Sequence, residues 1–157
     1  PPLEENAEEW RRMLEINLHS ATGAVQSFKD QLIEGSGDAS ITLIGSICGM
    51  VALGCPVAYA SAKAALEAYG KNIARPLGPL GVRVNMVSPG NLIFPGSTWE
   101  NKLAQDGAGV QSRLEREVAM QRLGSAEDVA GVVVFLASRR SRFVTDANWV
   151  VDGGQLI

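Results

Sequence analysis

Apolar residues in the first part of the chain recur every three or four positions. Trp10, Met13, Leu14, Ile16, Leu18, Ala21, Val25, Phe28 and Leu32 follow this spacing and predict one long helix over 3–33. Glu4, Glu5, Glu8 and Glu9 crowd its first turns, where carboxylates favour the helix dipole. Gly35-Ser36-Gly37-Asp38 reads as a turn. A β-rich run over 40–44 follows, then a Gly-containing loop over 46–56. A helix rich in alanine spans 57–77, and Pro76, Pro79 and Gly81 stop it. A second strand covers 82–87 and ends at Ser88-Pro89-Gly90. Residues 91–109 read as loop or broken helix, and 110–121 as an amphipathic helix. Ser125 with Asp128 forms a capping-box pattern that starts another helix. That helix is apolar nearly all round, which predicts burial on more than one side. A last strand covers 147–151 and closes at Asp152-Gly153-Gly154.

Strands alternating with helices imply parallel pairing, right-handed crossovers and a sheet covered on both faces. The chain has 157 residues, about one domain's worth, with 46% apolar and 20% charged residues. That is enough for a core without disulfides or metals. A net charge of −3 argues against nucleic-acid binding. No apolar run approaches the roughly 18 residues of a membrane span. The opening Pro1-Pro2 lacks both a basic and an apolar leader region, so the expectation is a cytoplasmic protein, either a mature product or a piece of something longer.

Cys48 and Cys55 have neither metal-ligand nor redox spacing. A disulfide is one reading, and two reduced thiols of a cytoplasmic protein is the favoured one. The single histidine, His19, supplies no metal cluster and is assigned a structural role. No metal is expected.

The most specific chemistry lies in Ser46, Tyr59 and Lys63. Tyr59 and Lys63 are four apart on a predicted helix and share a face. An ammonium one turn from a phenol favours the phenolate, which makes a tyrosine a usable general acid or base nearer neutral pH. Ser46 sits just past the first strand, and ligands of open α/β sheets gather outside the carboxyl ends of strands. A hydroxyl there can hold a substrate oxygen.

With Ile44-Gly45-Ser46, Tyr59-Ala60-Ser61-Ala62-Lys63, Val82-Arg83-Val84-Asn85, Ser88-Pro89-Gly90 and Val151-Asp152-Gly153-Gly154 in this order, the sequence resembles the short-chain dehydrogenase/reductase family. The group that includes the 3-oxoacyl-carrier-protein reductases is the most similar in flavour. The resemblance implies an α/β fold, a partial doubly wound (Rossmann-type) parallel sheet with helices on both faces. It implies hydride transfer between a nicotinamide cofactor, NAD or NADP, and a small-molecule carbonyl or alcohol substrate. Tyr59 is then the proton donor or acceptor, and Lys63 assists it and binds the nicotinamide ribose. Ser46 holds the substrate oxygen, and Asn17 supports a proton-relay water. Pro89, Gly90 and Leu92 touch the nicotinamide end of the cofactor. Phe94, Trp99 and Met120 fall in the family's substrate lid, although packing is the plainer reading for each.

Several features depart from the family. No glycine-rich phosphate turn follows a first strand: Gly45 and Gly49 begin such a pattern, but position 51 is Val. The residue that selects NAD or NADP is missing with that region. Residues 1–157 therefore read as a single domain, the second half of a Rossmann-type unit. Without that turn there is no helix N-terminus for the dinucleotide phosphates, which argues against activity of this polypeptide alone. The other reading is a catalytically silent, oligomeric structural or interaction module. Phe94 stands where many members have threonine, and Pro76 stands late in the Tyr59 helix. A half sheet leaves an open strand edge and uncovered apolar faces, which predicts a homo-oligomer, dimer or tetramer.

Overall fold

The computed structural model describes residues 4–35 and 38–156. Leu3, Ser36 and Gly37, at the start of the expected long helix and within the expected turn, lie outside the described residues. The elements run α1 (Ala7–Leu14), α2 (Ser20–Ser27), α3 (Lys29–Glu34), β1 (Ala39–Ile44), α4 (Val57–Leu77), β2 (Val82–Pro89), α5 (Thr98–Glu117), α6 (Ala126–Ala137) and β3 (Asn148–Val151). All three described strands are parallel, as the alternation of elements predicts, and their order is β1-β2-β3.

Residue parity shows how the sheet is covered. Ile41 pairs with Val84 and Leu43 with Met86. These side chains pack with Leu66 and Ala74 of α4 into the main core, joined by Leu18, Val25 and Leu32 from the first helices. Alternate residues serve the other face, as the period of two requires. Ser40 pairs with Arg83, and both reach the Leu136 carbonyl at the end of α6, at 3.0 and 2.8 Å. Helices therefore lie on both faces. All eight residues of β2 are buried.

Three expectations need correction. The first helix is not continuous. It starts at Asn6, whose side chain accepts from the Glu8 and Glu9 amides while the Glu9 carboxylate accepts from the Asn6 amide. It widens into a π-helical turn over Glu15–His19, then resumes. The helix expected at 110–121 is the second limb of α5, and it ends at Glu117. The third correction concerns α6, which is not buried on more than one side: only Leu136 is buried, and Val134 is 67% exposed. One face meets the sheet, and Val134 on the helix is left exposed among the described residues. The α6 capping box of Ser125 and Asp128 forms as expected.

Candidate active site

Gly45 continues β1 by donating to the Val87 carbonyl at 2.7 Å. A side chain there would meet the Met86 sulfur and the Ser88 hydroxyl at 2.7 Å, so the chain leaves the sheet in tight contact with β2. Ser46 follows in extended conformation, and its Oγ accepts from the Cys48 amide at 3.2 Å, capping a single 3-10 turn over Ile47–Gly49. Gly49 sets that turn against α4, where an added Cβ would lie 2.9 Å from the backbone of Lys63 and Ala64. Ser46 is thus held between the end of β1 and the helix that carries Tyr59.

Helix α4 buries Ala58, Ala62, Leu66, Gly70 and Ala74, a stripe of period four made of small residues and one leucine. Close approach to the sheet follows. Tyr59 and Lys63 stand one position beyond that stripe, both half-buried. Lys63 Nζ donates to the Ile44 carbonyl at 2.8 Å and lies 5.8 Å from the centre of the Tyr59 ring. Burial pushes the Lys63 ammonium below its usual pKa. An ammonium has three donors, so the Ile44 bond leaves two for a ligand. The first turn of α4 has no side-chain cap of its own. Glu5 supplies one from the other end of the chain, both carboxylate oxygens lying 3.2 Å from the Ala58 amide. An anion at a helix N-terminus is favourable.

These groups open onto one cleft of about 590 Å3 beyond the carboxyl ends of the strands. Ser46, Tyr59 and Lys63 line it together with Pro89, Gly90 and Leu92. Gly90 donates to the Val151 carbonyl at 2.9 Å, and a Cβ there would strike Asp152 at 2.7 Å. The arrangement places a phenol, a primary alcohol and an ammonium on one concave wall, a set able to bind a carbonyl oxygen and exchange a proton with it.

A family model described as enoyl-(acyl carrier protein) reductase matches residues 1–155. The chain belongs to the short-chain dehydrogenase/reductase family. An uncharacterized oxidoreductase of Schizosaccharomyces pombe is 42% identical over 123 residues, covering 78% of this chain and 46% of that protein. L-rhamnose 1-dehydrogenase (NAD(P)(+)) of a Sphingomonas species is 34% identical over 148 residues, 93% of this chain and 56% of that protein. Among solved structures, a 3-oxoacyl-[acyl-carrier protein] reductase with bound NAD from Brucella melitensis superposes with a TM-score of 0.84 at 28% identity, covering 98% of this chain and 54% of that one. The chain thus spans about half the length of these relatives.

Within this cleft most residues expected from the sequence converge, and Asn17 does not. It sits in the π turn, and its Nδ2 donates to the Met13 carbonyl at 3.1 Å; Met13, one turn earlier, lines the cleft instead. Phe94 is 51% exposed and lines the cleft. Trp99 does both: it packs on Val110, Leu114 and Val118 and faces the cleft. Met120 lies elsewhere, beside Arg122 and Gly153. His19 is exposed, and the described residues hold no cluster fit for a metal ion.

The cysteines correct the expectation of free thiols. Cys48 and Cys55 form a disulfide, with Cα atoms 6.3 Å apart. The 3-10 turn doubles the loop back so that two cysteines seven apart fall within bridging distance. Sequence spacing alone carries no such information. Both line the cleft, together with Leu53 and Gly54 of the loop between them. Glu5 is the residue that sequence reasoning misses: its position suggests a carboxylate serving its own helix, and it caps α4 instead.

Proposed function

We propose that the protein acts in an NAD(P)-dependent oxidoreductase that interconverts a small-molecule carbonyl and its alcohol, with Ser46, Tyr59 and Lys63 carrying the proton chemistry. The observation behind this reading is the single cleft at the strand ends that holds all three, with Lys63 tied to the Ile44 carbonyl beside the Tyr59 ring. A nicotinamide cofactor, when bound, supplies or takes the hydride. The residues of the cleft suit its nicotinamide-ribose end: Lys63 keeps two donors for ribose hydroxyls. Gly90 lets the chain after β2 lie flat against Asp152, leaving Pro89 and Leu92 as an apolar wall of the cleft. The sequence has no glycine-rich turn for the dinucleotide phosphates. The chain corresponds in this reading to the second half of a Rossmann-type domain, and the phosphate end of the cofactor falls to the first half.

In reduction, the Ser46 hydroxyl donates to the carbonyl oxygen and orients it. The Tyr59 hydroxyl gives its proton to that oxygen as charge builds there. Lys63 stabilises the phenolate left behind. Asn17 reaches the cleft only through Met13, whose carbonyl its side chain holds, and its part in this reading is to support the route by which the proton is replaced. Single widened turns of this kind inside α-helices occur frequently at functional sites. The silent-module reading explains none of this convergence.

The test is Tyr59→Phe in the enzyme that contains this chain. Loss of carbonyl reduction by roughly 10²–10⁴-fold is expected, with nicotinamide binding kept. Near-normal turnover would remove Tyr59 from the chemistry. Lys63→Ala should weaken NADH or NADPH binding, read by nicotinamide fluorescence.

A further inference from the structure

Three cationic side chains line the cleft, Lys63, Lys102 and Arg113, and among the described residues no aspartate or glutamate does. The protein as a whole carries a net charge of −3. Lys63 is engaged by the Ile44 carbonyl. The other two are eleven residues apart on α5, and both reach one indole. Lys102 Nζ lies 4.5 Å from the centre of the Trp99 ring, and the guanidinium carbon of Arg113 lies 5.6 Å from it. A straight helix would set residues 102 and 113 about 16 Å apart along its axis and carry residue 113 beyond reach of residue 99. The helix is not straight. Asp106 has non-helical angles, φ −150° and ψ 76°, and its carboxylate accepts from the Gly109 amide at 2.9 Å to start the second limb. The break folds that limb back over Trp99, where Val110 and Leu114 pack. Two like charges are thereby brought to the same aromatic ring at the edge of the cleft.

Few carboxylates offset them. Glu117 takes the Arg113 Nε at 2.6 Å, one of five donors on the guanidinium. Lys102 makes no ion pair among the described residues. Convergent cations in a concave site lined by one sign of charge focus potential on an anion.

We propose that Lys102 and Arg113, with the Trp99 indole between them, form an anion subsite, so that the carbonyl or alcohol substrate carries a carboxylate or phosphate group. That the anion belongs to a substrate rests on the oxidoreductase reading; the anion site itself does not. Arg113 can meet either group with two parallel donors, and Lys102 supplies a point charge.

Trp99 makes the site its own reporter. The intact protein is titrated at low ionic strength with 3-hydroxybutyrate, glycerol 3-phosphate and neutral butane-1,3-diol while tryptophan emission is followed. A saturable change with one or both anions and none with the diol is expected, and the two anions separate a carboxylate ligand from a phosphate one. The change disappears in Trp99→Phe and fades with added salt. Lys102→Gln combined with Arg113→Gln weakens it by roughly tenfold or more, whereas Lys102→Arg retains it. Equal response to the diol, no saturable response to either anion, or unchanged affinity in the double variant would overturn the proposal. So would a double variant that loses NADH affinity and keeps anion affinity, which would assign the pair to cofactor phosphates. The titration reads binding and needs no turnover, so failure of the proton-transfer reading and failure of the anion site are separate results.

Discussion

Gly49 has no room for a side chain. A Cβ there meets the backbone of α4 at 2.9 Å, and neither element can retreat without moving Ser46 or the Tyr59 helix. Its spacing from Gly45 resembles the start of a phosphate-binding turn in the sequence, but steric contact is what the position serves. Gly49→Ala should cost about 1–3 kcal/mol in chemical denaturation, as overpacking does, and displace Ser46 enough to lower turnover. Unchanged stability would mean the turn can shift freely. Asp128 is a different case, fully legible as a capping residue. Hydrogen bonds from Arg122, then from the Ser125 amide, lower its carboxyl from the ordinary 3.8 to about 2. Folding therefore favours the ionised form. That contribution is complete above pH 3.8 and is lost as pH falls through about 2. Thermal melts should show Asp128→Asn less stable than wild type at neutral pH, with the gap closing toward pH 2. A gap independent of pH would remove the charge from the account.

At the scale of elements, β-rich runs bounded by turn residues and an alanine-rich helix stopped by proline and glycine locate every described strand and the Tyr59 helix to within a residue or two. Breaks inside helices are less visible. The π turn over Glu15–His19 interrupts a run whose apolar spacing continues through it. The bend at Asp106 lies in a stretch with glycines at 107 and 109, where sequence signals only a weak helix. The long-range cap on α4 leaves no local trace at all, since Glu5 and Ala58 are 53 residues apart. Glu5→Ala should lower stability by about 0.5–2 kcal/mol, the usual range for a lost N-terminal cap. It should also loosen the turn that precedes Tyr59, seen as faster amide exchange over the first turn of α4. Exchange that stays as slow as in wild type would show that the cap is redundant.

For the whole molecule, parallel pairing and the two covered faces follow from the sequence, and the outer surface does not. Periodicity assigns an apolar helix to a core, yet α6 leaves Val134 two-thirds exposed, and Phe143, in the loop before β3, is fully exposed. Val150 of β3 is exposed as well. Burying an aliphatic side chain is worth about 1.5–3 kcal/mol, so residues of this kind on consecutive elements favour association over solvent contact. Among the described residues β1 is an edge strand with no further strand on its outer side, and Ile44 is exposed at its end. A second copy seated on α6 and β3 would cover the first set by two-fold symmetry, in which the same patch serves both partners. The β1 edge would remain for a further strand. The two surfaces can be separated by experiment. Sedimentation equilibrium at micromolar concentration should find a mass of at least two chains. Val134→Glu should shift it toward one chain by burying a charge in the contact, whereas a charge at Ile44, outside that patch, should not. A single species at the mass of one chain for the wild type, unfolding cooperatively, would show that α6 and β3 are stable in water as they stand.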